Sequence, residues 1–303
     1  HPWEQVQDVE SIVSRAKTAL DAILKETNDV VSIGLTGQMH GIVYLDREGK
    51  AVSPLYTWQD GRGSLPVFEG KSVCDLLWEN HRVKASSGYG AVTHLYHVKM
   101  GQVPAEAVTF CTIADYLGMI LTGRKRPLLH TSQGASLGLF DENANSFRKD
   151  VAQAWGMEPA FFPELTEELA VLGEYGEIPV TVSLGDNQAS FLGSVRNAPE
   201  TLLVNVGTGA QISVLSTRRF EAPGIETRPF LLRTVLLVGA TWCGGAAYAA
   251  LERFFREYAV AAGAADVPQY QVMQRLLENQ AEPATGWRVR TTFAGTREAP
   301  GEA

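Results

Sequence analysis

The sequence is poor in features that mark several classes of protein. Its three cysteines, Cys74, Cys111 and Cys243, lie far apart and form no CxxC pair, which is typical of a protein in a reducing, cytoplasmic setting. Its net charge of −8 disfavours a nucleic-acid or anionic-membrane partner. No apolar run approaches the roughly 18 residues that cross a bilayer, and no signal peptide is visible.

Several catalytic motifs are also missing. We find no Cys/His spacing suited to zinc, no nucleophile elbow and no dinucleotide-binding fingerprint. The missing motifs therefore disfavour hydrolase and dehydrogenase activities. An enzymatic function would have to depend on residues outside these motifs.

Both ends of the sequence are unusual for a complete protein. There is no initial Met, and the first predicted element is an amphipathic helix within residues 6–24, with no preceding strand to pack against. The last residues are typical of a turn, and no closing element follows them. We therefore expect the 303 residues to be the middle of a longer protein.

What is present is typical of an α/β protein, because apolar β-branched runs alternate with helical patterns. The length exceeds the roughly 250 residues at which one core usually divides, so two domains are expected. A polar break around Pro199 predicts their boundary, with domains at 1–197 and 198–303. The predicted strands are 30–37, 178–186, a hairpin at 201–215 and 233–240; helices are predicted at 112–121 and 244–259, and a polar loop at 130–141.

Polar side chains follow the first predicted strand. Gln38 and His40, in "GQMHG", can exchange hydrogen bonds with hydroxyl groups at the strand end where open α/β sheets bind ligands. "YTWQDGR" adds Trp58 and Asp60 as candidates for substrate contact. The alternatives stay open here, because a Gln-x-His pair in a loop is more often structural and Asp60 could pair with Arg62.

Asp186 has the same placement at the end of the strand at 178–186, and Asn187 adds a donor and an acceptor beside it. Taken alone, Asp186 is more often a helix-capping residue, because a small-residue helix is predicted to follow it. The rival interpretation is a carboxylate that takes a proton from a substrate.

Two glycine-rich stretches suit a nucleotide. In "NVGTGAQ", Gly207 and Gly209 flank Thr208, and such a turn can present amides and a hydroxyl to phosphate. A plain hairpin turn is the commoner alternative. In "CGGAAYAALERF", Gly245 opens a helix directly after a strand, which gives close backbone approach and a positive helix end, or only close packing of helix on sheet.

Together these features favour phosphoryl transfer to a polyol. Two strand ends carry hydroxyl-binding groups, one turn suits phosphates and one helix start suits a nucleoside. Such chemistry needs positioning, charge neutralisation and a base near the attacking hydroxyl, with little covalent work by the protein.

At these positions the sequence resembles the FGGY family of carbohydrate kinases, which phosphorylate sugars and polyols with MgATP. The resemblance is carried, in the family's order, by "GQMHG", "TWQDGR", "GDNQAS", "NVGTGAQ" and "GATWCGGAAYAALERFF". Four further stretches are similar to members that phosphorylate ketoses: "HPWEQVQDV", "SSGYGAVT", "SLGLFD" and "FAGTREAP". The resemblance implies two ribonuclease-H-like (actin-like ATPase) domains, both incomplete here, with the active site in the cleft between them.

The resemblance also implies roles for single residues. Asp186 matches the family's catalytic base. The substrate-binding candidates are Gln38, His40, Asn187, Trp58, Asp60 and Tyr89, and the ATP-binding candidates are Gly207, Thr208, Gly209 and Gly245. The implied partners are a ketose sugar, ATP and Mg²⁺, although no residue of the sequence is identified directly as a metal ligand.

Two motifs of the family have no counterpart in the sequence. These are the N-terminal DxGTxx phosphate motif and a C-terminal glycine-rich adenosine motif. A natural protein of this length would lack half of its ATP site, so a non-catalytic sugar-binding protein is the alternative from another class. A truncated sequence is the preferred explanation, and the oligomeric state is not predicted.

Overall fold

The computed structural model describes residues 1–220, 222–241 and 243–279. Its helices are α1 (Val9–Glu26), α2 (Val73–His81), α3 (Gly90–Met100), α4 (Ile113–Thr122), α5 (Thr131–Ser136), α6 (Lys149–Ala154), α7 (Asp186–Ser194), α8 (Gly245–Ala261) and α9 (Tyr270–Glu278). Its strands are β1 (Val6–Gln7), β2 (Ile33–Gly37), β3 (Val43–Leu45), β4 (Leu55–Tyr56), β5 (Thr109–Cys111), β6 (Leu128–His130), β7 (Phe140–Asp141), β8 (Ser146–Phe147), β9 (Glu164–Thr166), β10 (Val171–Tyr175), β11 (Ile178–Gly185), β12 (Leu202–Val206), β13 (Ala210–Ser216), β14 (Glu226–Pro229) and β15 (Val235–Thr241).

The chain divides into two compact units. Unit 1 comprises His1–Arg196 and Arg228–Val235, and unit 2 comprises Asn197–Thr227 and the described residues from Leu236 onwards. The change of unit after Arg196 lies within the polar break of the sequence. Residues 228–235 belong to unit 1 again. The sequence does not predict this, because it depends on packing rather than on a local pattern.

The core of unit 1 surrounds α3, the two-stranded antiparallel pair β3–β5 and their neighbours. Residues 90–97 of α3 are all buried, which fits a sequence that is largely apolar or small on every side of the helix. Tyr44, Leu95 and Phe110 are fully buried within this cluster. At roughly 1.5–3 kcal/mol for each large apolar side chain removed from water, this cluster is the main stabilising feature of unit 1.

A second element of unit 1 is the sheet of order β10–β11–β2, in which β11 runs antiparallel to β10 and parallel to β2. Helix α4 packs on this sheet. Gly118 permits the close approach, because a Cβ at that position would lie 2.7 Å from Leu172 Cδ1. This sheet carries both strand ends that the sequence singles out.

Unit 2 contains the antiparallel pair β12–β13, which belongs to a four-stranded sheet of order β12–β13–β15–β14. Val206 pairs with Ala210, so the turn between the two strands consists of residues 207–209. Helix α8 follows β15. No helix in the described part of the chain is both long and apolar enough to span a membrane.

Most of the predicted elements are confirmed: the strands near 30–37, 178–186 and 233–240, the hairpin at 201–215 and the helices at 112–121 and 244–259. The predicted polar loop at 130–141 is wrong. It contains α5, whose Thr131, Ser132, Gln133 and Ser136 are all buried. Polar composition is misleading here because Ser132, Gln133 Nε2 and Ser136 hydrogen-bond inside the protein.

Candidate functional site

The strands β2 and β11 end side by side. Their parallel register pairs Gly37 with Gly185, the last residue of each strand. Gln38 and Asp186 are the next residues, so the two predicted strand-end motifs meet at one edge of the sheet. That edge, at the carboxyl ends of parallel strands, is where open α/β sheets bind ligands.

Asp186 does not cap helix α7. The N-cap position is held by Gly185, no side-chain capping hydrogen bond is formed, and Asp186 is the first helical residue with its side chain exposed. The capping interpretation is therefore wrong, and the carboxylate lies at the positive end of the helix, where negative charge is favourable. Gly185 leaves space for Met39, because a Cβ there would lie 2.6 Å from Met39 Cε.

Unpaired acceptors lie next to Asp186. The Asn187 Oδ1 and Gln188 Oε1 atoms are buried and have no hydrogen-bond partner within the described residues. The Gln188 Nε2 atom is held by the Pro229 carbonyl at 3.0 Å. A buried acceptor left unpaired costs about 1–3 kcal/mol, so this position suits a ligand that brings hydroxyl donors. The sequence did not single out Gln188.

His40 is held in a left-handed conformation, with φ of 73°. Its backbone N–H donates to Ser136 Oγ at 3.1 Å, and its ring Nδ1 lies 2.7 Å from the Ser136 carbonyl oxygen. Because a carbonyl only accepts, Nδ1 carries a proton. The imidazole stacks on Tyr89 with ring centroids 4.7 Å apart. A non-glycine residue in this region costs on the order of 1 kcal/mol, which these contacts offset.

The loop that carries Trp58 contacts the loop that carries Tyr89. A Cβ on Gly88 would lie 1.8 Å from the Trp58 carbonyl oxygen, so only glycine permits this approach. The Trp58 side chain is 50% exposed. The Trp58–Gly88 approach and the His40–Tyr89 stack therefore bring the segments of three substrate-binding candidates together. Gln38 donates from Nε2 to Gln7 Oε1 at 2.9 Å.

Asp60 has a different environment. Its side chain is fully buried, and it accepts hydrogen bonds from Arg62 Nε at 2.6 Å and from the Gln5 backbone N–H at 3.1 Å. The Arg62 guanidinium in turn lies 4.3 Å from the centre of the Tyr56 ring. The pairing with Arg62 that the sequence left open is confirmed. Direct contact of Asp60 with a substrate has no support in this geometry.

A buried polar network that the sequence did not reveal lies behind β11. Asp115 of α4 accepts hydrogen bonds from Ser183 Oγ at 2.5 Å and from Thr112 Oγ1 at 2.6 Å. Burial raises the pKa of Asp115 to about 7, although these hydrogen bonds act in the opposite direction. An acidic residue inside the apolar stretch "IADYLGMIL" was the one available signal.

The predicted nucleotide residues meet in unit 2. The Gly245 N–H donates to the Gly207 carbonyl at 2.7 Å, and the Gly244 N–H donates to the Thr208 carbonyl at 3.1 Å. A Cβ on Gly244 would lie 2.2 Å from the Gly209 carbonyl oxygen, so the turn and the start of α8 fit together only as glycines. The first amides of α8 therefore bind the turn, whereas Gly207 and Thr208 are exposed to solvent.

These residues fit one part of a nucleotide site. Thr208 offers a hydroxyl on an exposed turn, which is a group that binds phosphate oxygens. Within the described residues, no cluster of three or more His, Cys, Asp or Glu side chains could hold a metal ion. Magnesium therefore remains an implication of the resemblance. The stretch "FAGTREAP" and Trp242 lie outside the described residues.

Residues 1–193 match the N-terminal domain of the FGGY family of carbohydrate kinases. The chain therefore belongs to this family.

Two curated relatives and one solved structure illustrate the similarity. Sedoheptulokinase of Homo sapiens is 27% identical over 99% of this chain and 68% of its own length. The xylulose kinase of Staphylococcus xylosus is 26% identical over 65% of this chain and 44% of its own length. The crystal structure of xylulose kinase from Rhodospirillum rubrum has a TM-score of 0.75 at 18% identity and covers 93% of this chain and 60% of that chain.

The structural similarity confirms the predicted mixed α/β fold, of the type seen in sugar kinases. The chain spans between 44% and 68% of the length of these three proteins. The activities in their names are those of the three proteins themselves.

Proposed function

We propose that the protein to which this chain belongs phosphorylates a sugar hydroxyl with ATP, and that Asp186 is the general base. The observation that carries the proposal is the pairing of Gly37 with Gly185, which sets Asp186 beside the "GQMHG" segment. Membership of a carbohydrate kinase family supports the same reaction.

In this reaction the chain positions the sugar and accepts a proton. The unpaired buried Asn187 Oδ1 accepts from a sugar hydroxyl, and the His40–Tyr89 stack limits where the sugar ring can lie. The Asp186 carboxylate takes the proton of the attacking sugar hydroxyl while the oxygen of that hydroxyl bonds to the γ-phosphorus of ATP. ATP supplies the phosphoryl group, and ADP leaves.

We propose sedoheptulose as the substrate and sedoheptulose 7-phosphate as the product. The support is the similarity to human sedoheptulokinase over 99% of this chain. Xylulose is the second candidate, since xylulose kinases resemble the chain in sequence and in structure. A screen of ketoses with five to seven carbons separates the two, and the expected result is the highest kcat/KM with sedoheptulose.

The test of the base is Asp186→Asn in the full-length protein. Removing a general base costs about 10²–10⁴-fold in rate, so kcat should fall by at least roughly a hundredfold while calorimetric sugar affinity stays within about threefold. Asp29→Asn, which removes the same charge at an exposed loop position, is the matched control and should retain full turnover.

Three other outcomes would contradict parts of the proposed function. Near wild-type turnover in Asp186→Asn would exclude Asp186 as the base. Sugar binding without ADP formation in the wild-type full-length protein would favour the non-catalytic sugar-binding alternative. ATP turnover with no dependence on any sugar would exclude a sugar kinase.

A further inference from the structure

Helix α5 reaches both parts of the candidate sugar site. It is only six residues long, yet Ser132, Gln133 and Ser136 are buried at 1%, 0% and 5% exposure. Buried hydroxyl and amide groups are costly unless they are hydrogen-bonded, so their partners indicate what the helix does.

The first partner is the end of β11. Ser132 Oγ accepts from the Gly185 backbone N–H at 3.1 Å. Gln133 Nε2 donates to the Leu184 carbonyl at 3.1 Å and to Ser183 Oγ at 3.2 Å. The three residues that precede Asp186 are therefore each held by α5 through a hydrogen bond.

The second partner is His40, held by Ser136 at the other end of the same helix. Ser136 Oγ accepts from the His40 N–H, and the Ser136 carbonyl accepts from His40 Nδ1. Ser136 Oγ also donates to the Gln133 carbonyl at 2.7 Å, which joins the two halves of the arrangement. One turn of helix thus contacts both the strand that presents Asp186 and the imidazole at the end of "GQMHG".

We propose that Ser132, Gln133 and Ser136, here named the α5 bridge, set the spacing between Asp186 and His40. The inference rests on the proposed function, because it assigns the two residues to one bound sugar. Ser132 and Ser136 are positioning residues, since each acts through the group that it hydrogen-bonds. A shift of about 1 Å in a reacting group can cost about a hundredfold in rate, which makes such a spacing element effective.

The kinetic test compares two serines on the same turn. Ser132→Ala loosens the strand end that presents Asp186, so kcat should fall roughly tenfold or more while KM for the sugar changes less than about twofold. Ser136→Ala removes the hydroxyl that accepts from the His40 N–H, so KM should rise roughly tenfold with a smaller change in kcat. If Ser132→Ala does not fold, Ser132→Cys keeps the side-chain volume and weakens the same hydrogen bond.

The control is Thr109→Val in β5. The Thr109 hydroxyl is also buried and donates to the Phe161 carbonyl at 2.9 Å, and both residues are absent from the site. This variant should lose stability without changing kcat or KM. If the two serine variants lowered kcat and raised KM together, in proportion to their loss of stability, the α5 bridge would be only structural.

Amide hydrogen exchange tests the bridge without using activity. Ser132→Ala should raise the exchange rate of the Gly185 amide and not that of His40, and Ser136→Ala should do the reverse. Unchanged exchange at both amides would overturn the proposal. If the wild-type protein phosphorylates no sugar, the proposed function fails while the exchange rates still decide whether α5 holds the two segments.

Discussion

The two units differ in where their apolar residues lie. Unit 1 encloses a large cluster of apolar side chains around Tyr44, Leu95 and Phe110. Unit 2, as far as it is described, leaves many of its large apolar side chains exposed to solvent. Those exposed by half or more are Leu202, Val204, Val206, Phe220, Phe254, Tyr258, Val267, Leu276 and Leu277.

The difference does not come from the local patterns, which are regular in both units. Leu202, Val204 and Val206 alternate along β12 and so share one face of its sheet. An alternating strand predicts that one face will be covered, and exposed apolar faces of this kind mark surfaces that interact. Local pattern therefore specifies the elements of both units, whereas the described residues bury the apolar faces of unit 1 more fully than those of unit 2.

The largest effect is expected from a matched pair of substitutions that tests the difference in burial between the two units. Phe110→Ala removes a fully buried ring and should lower the free energy of unfolding by about 3–5 kcal/mol. Phe254→Ala removes a ring that is 64% exposed and should change the same quantity by less than about 0.5 kcal/mol. Urea unfolding followed by circular dichroism measures both, and equal losses would contradict the comparison.

A buried carboxyl in unit 1 makes stability depend on pH. The pKa of Asp115 is about 7 in the folded protein, against about 3.9 for an exposed aspartate. Between these values the folded protein keeps a proton that the unfolded chain releases, so stability falls as pH rises, by up to roughly 1.4 kcal/mol per pH unit. Below pH 4 and above pH 7 this contribution to the slope disappears.

Asp115→Asn removes that proton. The unfolding free energy of the variant, relative to wild type, should therefore rise between pH 4 and pH 7 and then level off. Urea unfolding at one-unit pH intervals measures this difference. Asp29→Asn is the control, because it removes an exposed carboxylate outside the buried network. A parallel profile for Asp115→Asn would show that Asp115 ionises normally.

Unit 2 also has a buried carboxylate, and its removal should have a smaller effect than either buried-residue substitution in unit 1. Glu252 of α8 is 4% exposed, and its Oε1 accepts from the Gln269 backbone N–H at 2.9 Å, just before α9. Glu252→Ala should cost about 1 kcal/mol and speed amide exchange in α9. Glu252→Gln keeps the acceptor oxygen and should leave that exchange near wild type. Unchanged exchange in the alanine variant would show that this contact does not hold α9.

The sequence predicted the elements whose patterns are long and regular, such as α4, β11 and α8. It also identified the strand-end motifs, because Gln38, His40 and Asp186 directly follow apolar runs. It could not predict that β2 and β11 are neighbours, since the pairing of strands far apart in the chain depends on tertiary packing. The fold class and the family followed from five motifs in order.

Three errors or omissions have one physical origin. The predicted loop that is α5, the capping alternative at Asp186 and the unnoticed Asp115 all depend on where a polar group finds its partner. Sequence patterns report whether a side chain is polar and do not report whether water or protein satisfies it. For Asp60 the sequence could only leave both possibilities open, and Arg62 proved to be the partner.

The pairing of β2 with β11 has a consequence for how the site assembles. The Thr36 hydroxyl donates to the Leu184 carbonyl across 148 residues of sequence. Closing so long a loop has an entropic cost that must be met before the contact stabilises anything, which makes such a pairing slow. During synthesis, "GQMHG" therefore leaves the ribosome long before Asp186. The candidate sugar site should therefore be completed in one late step, once nearly all of unit 1 has been made.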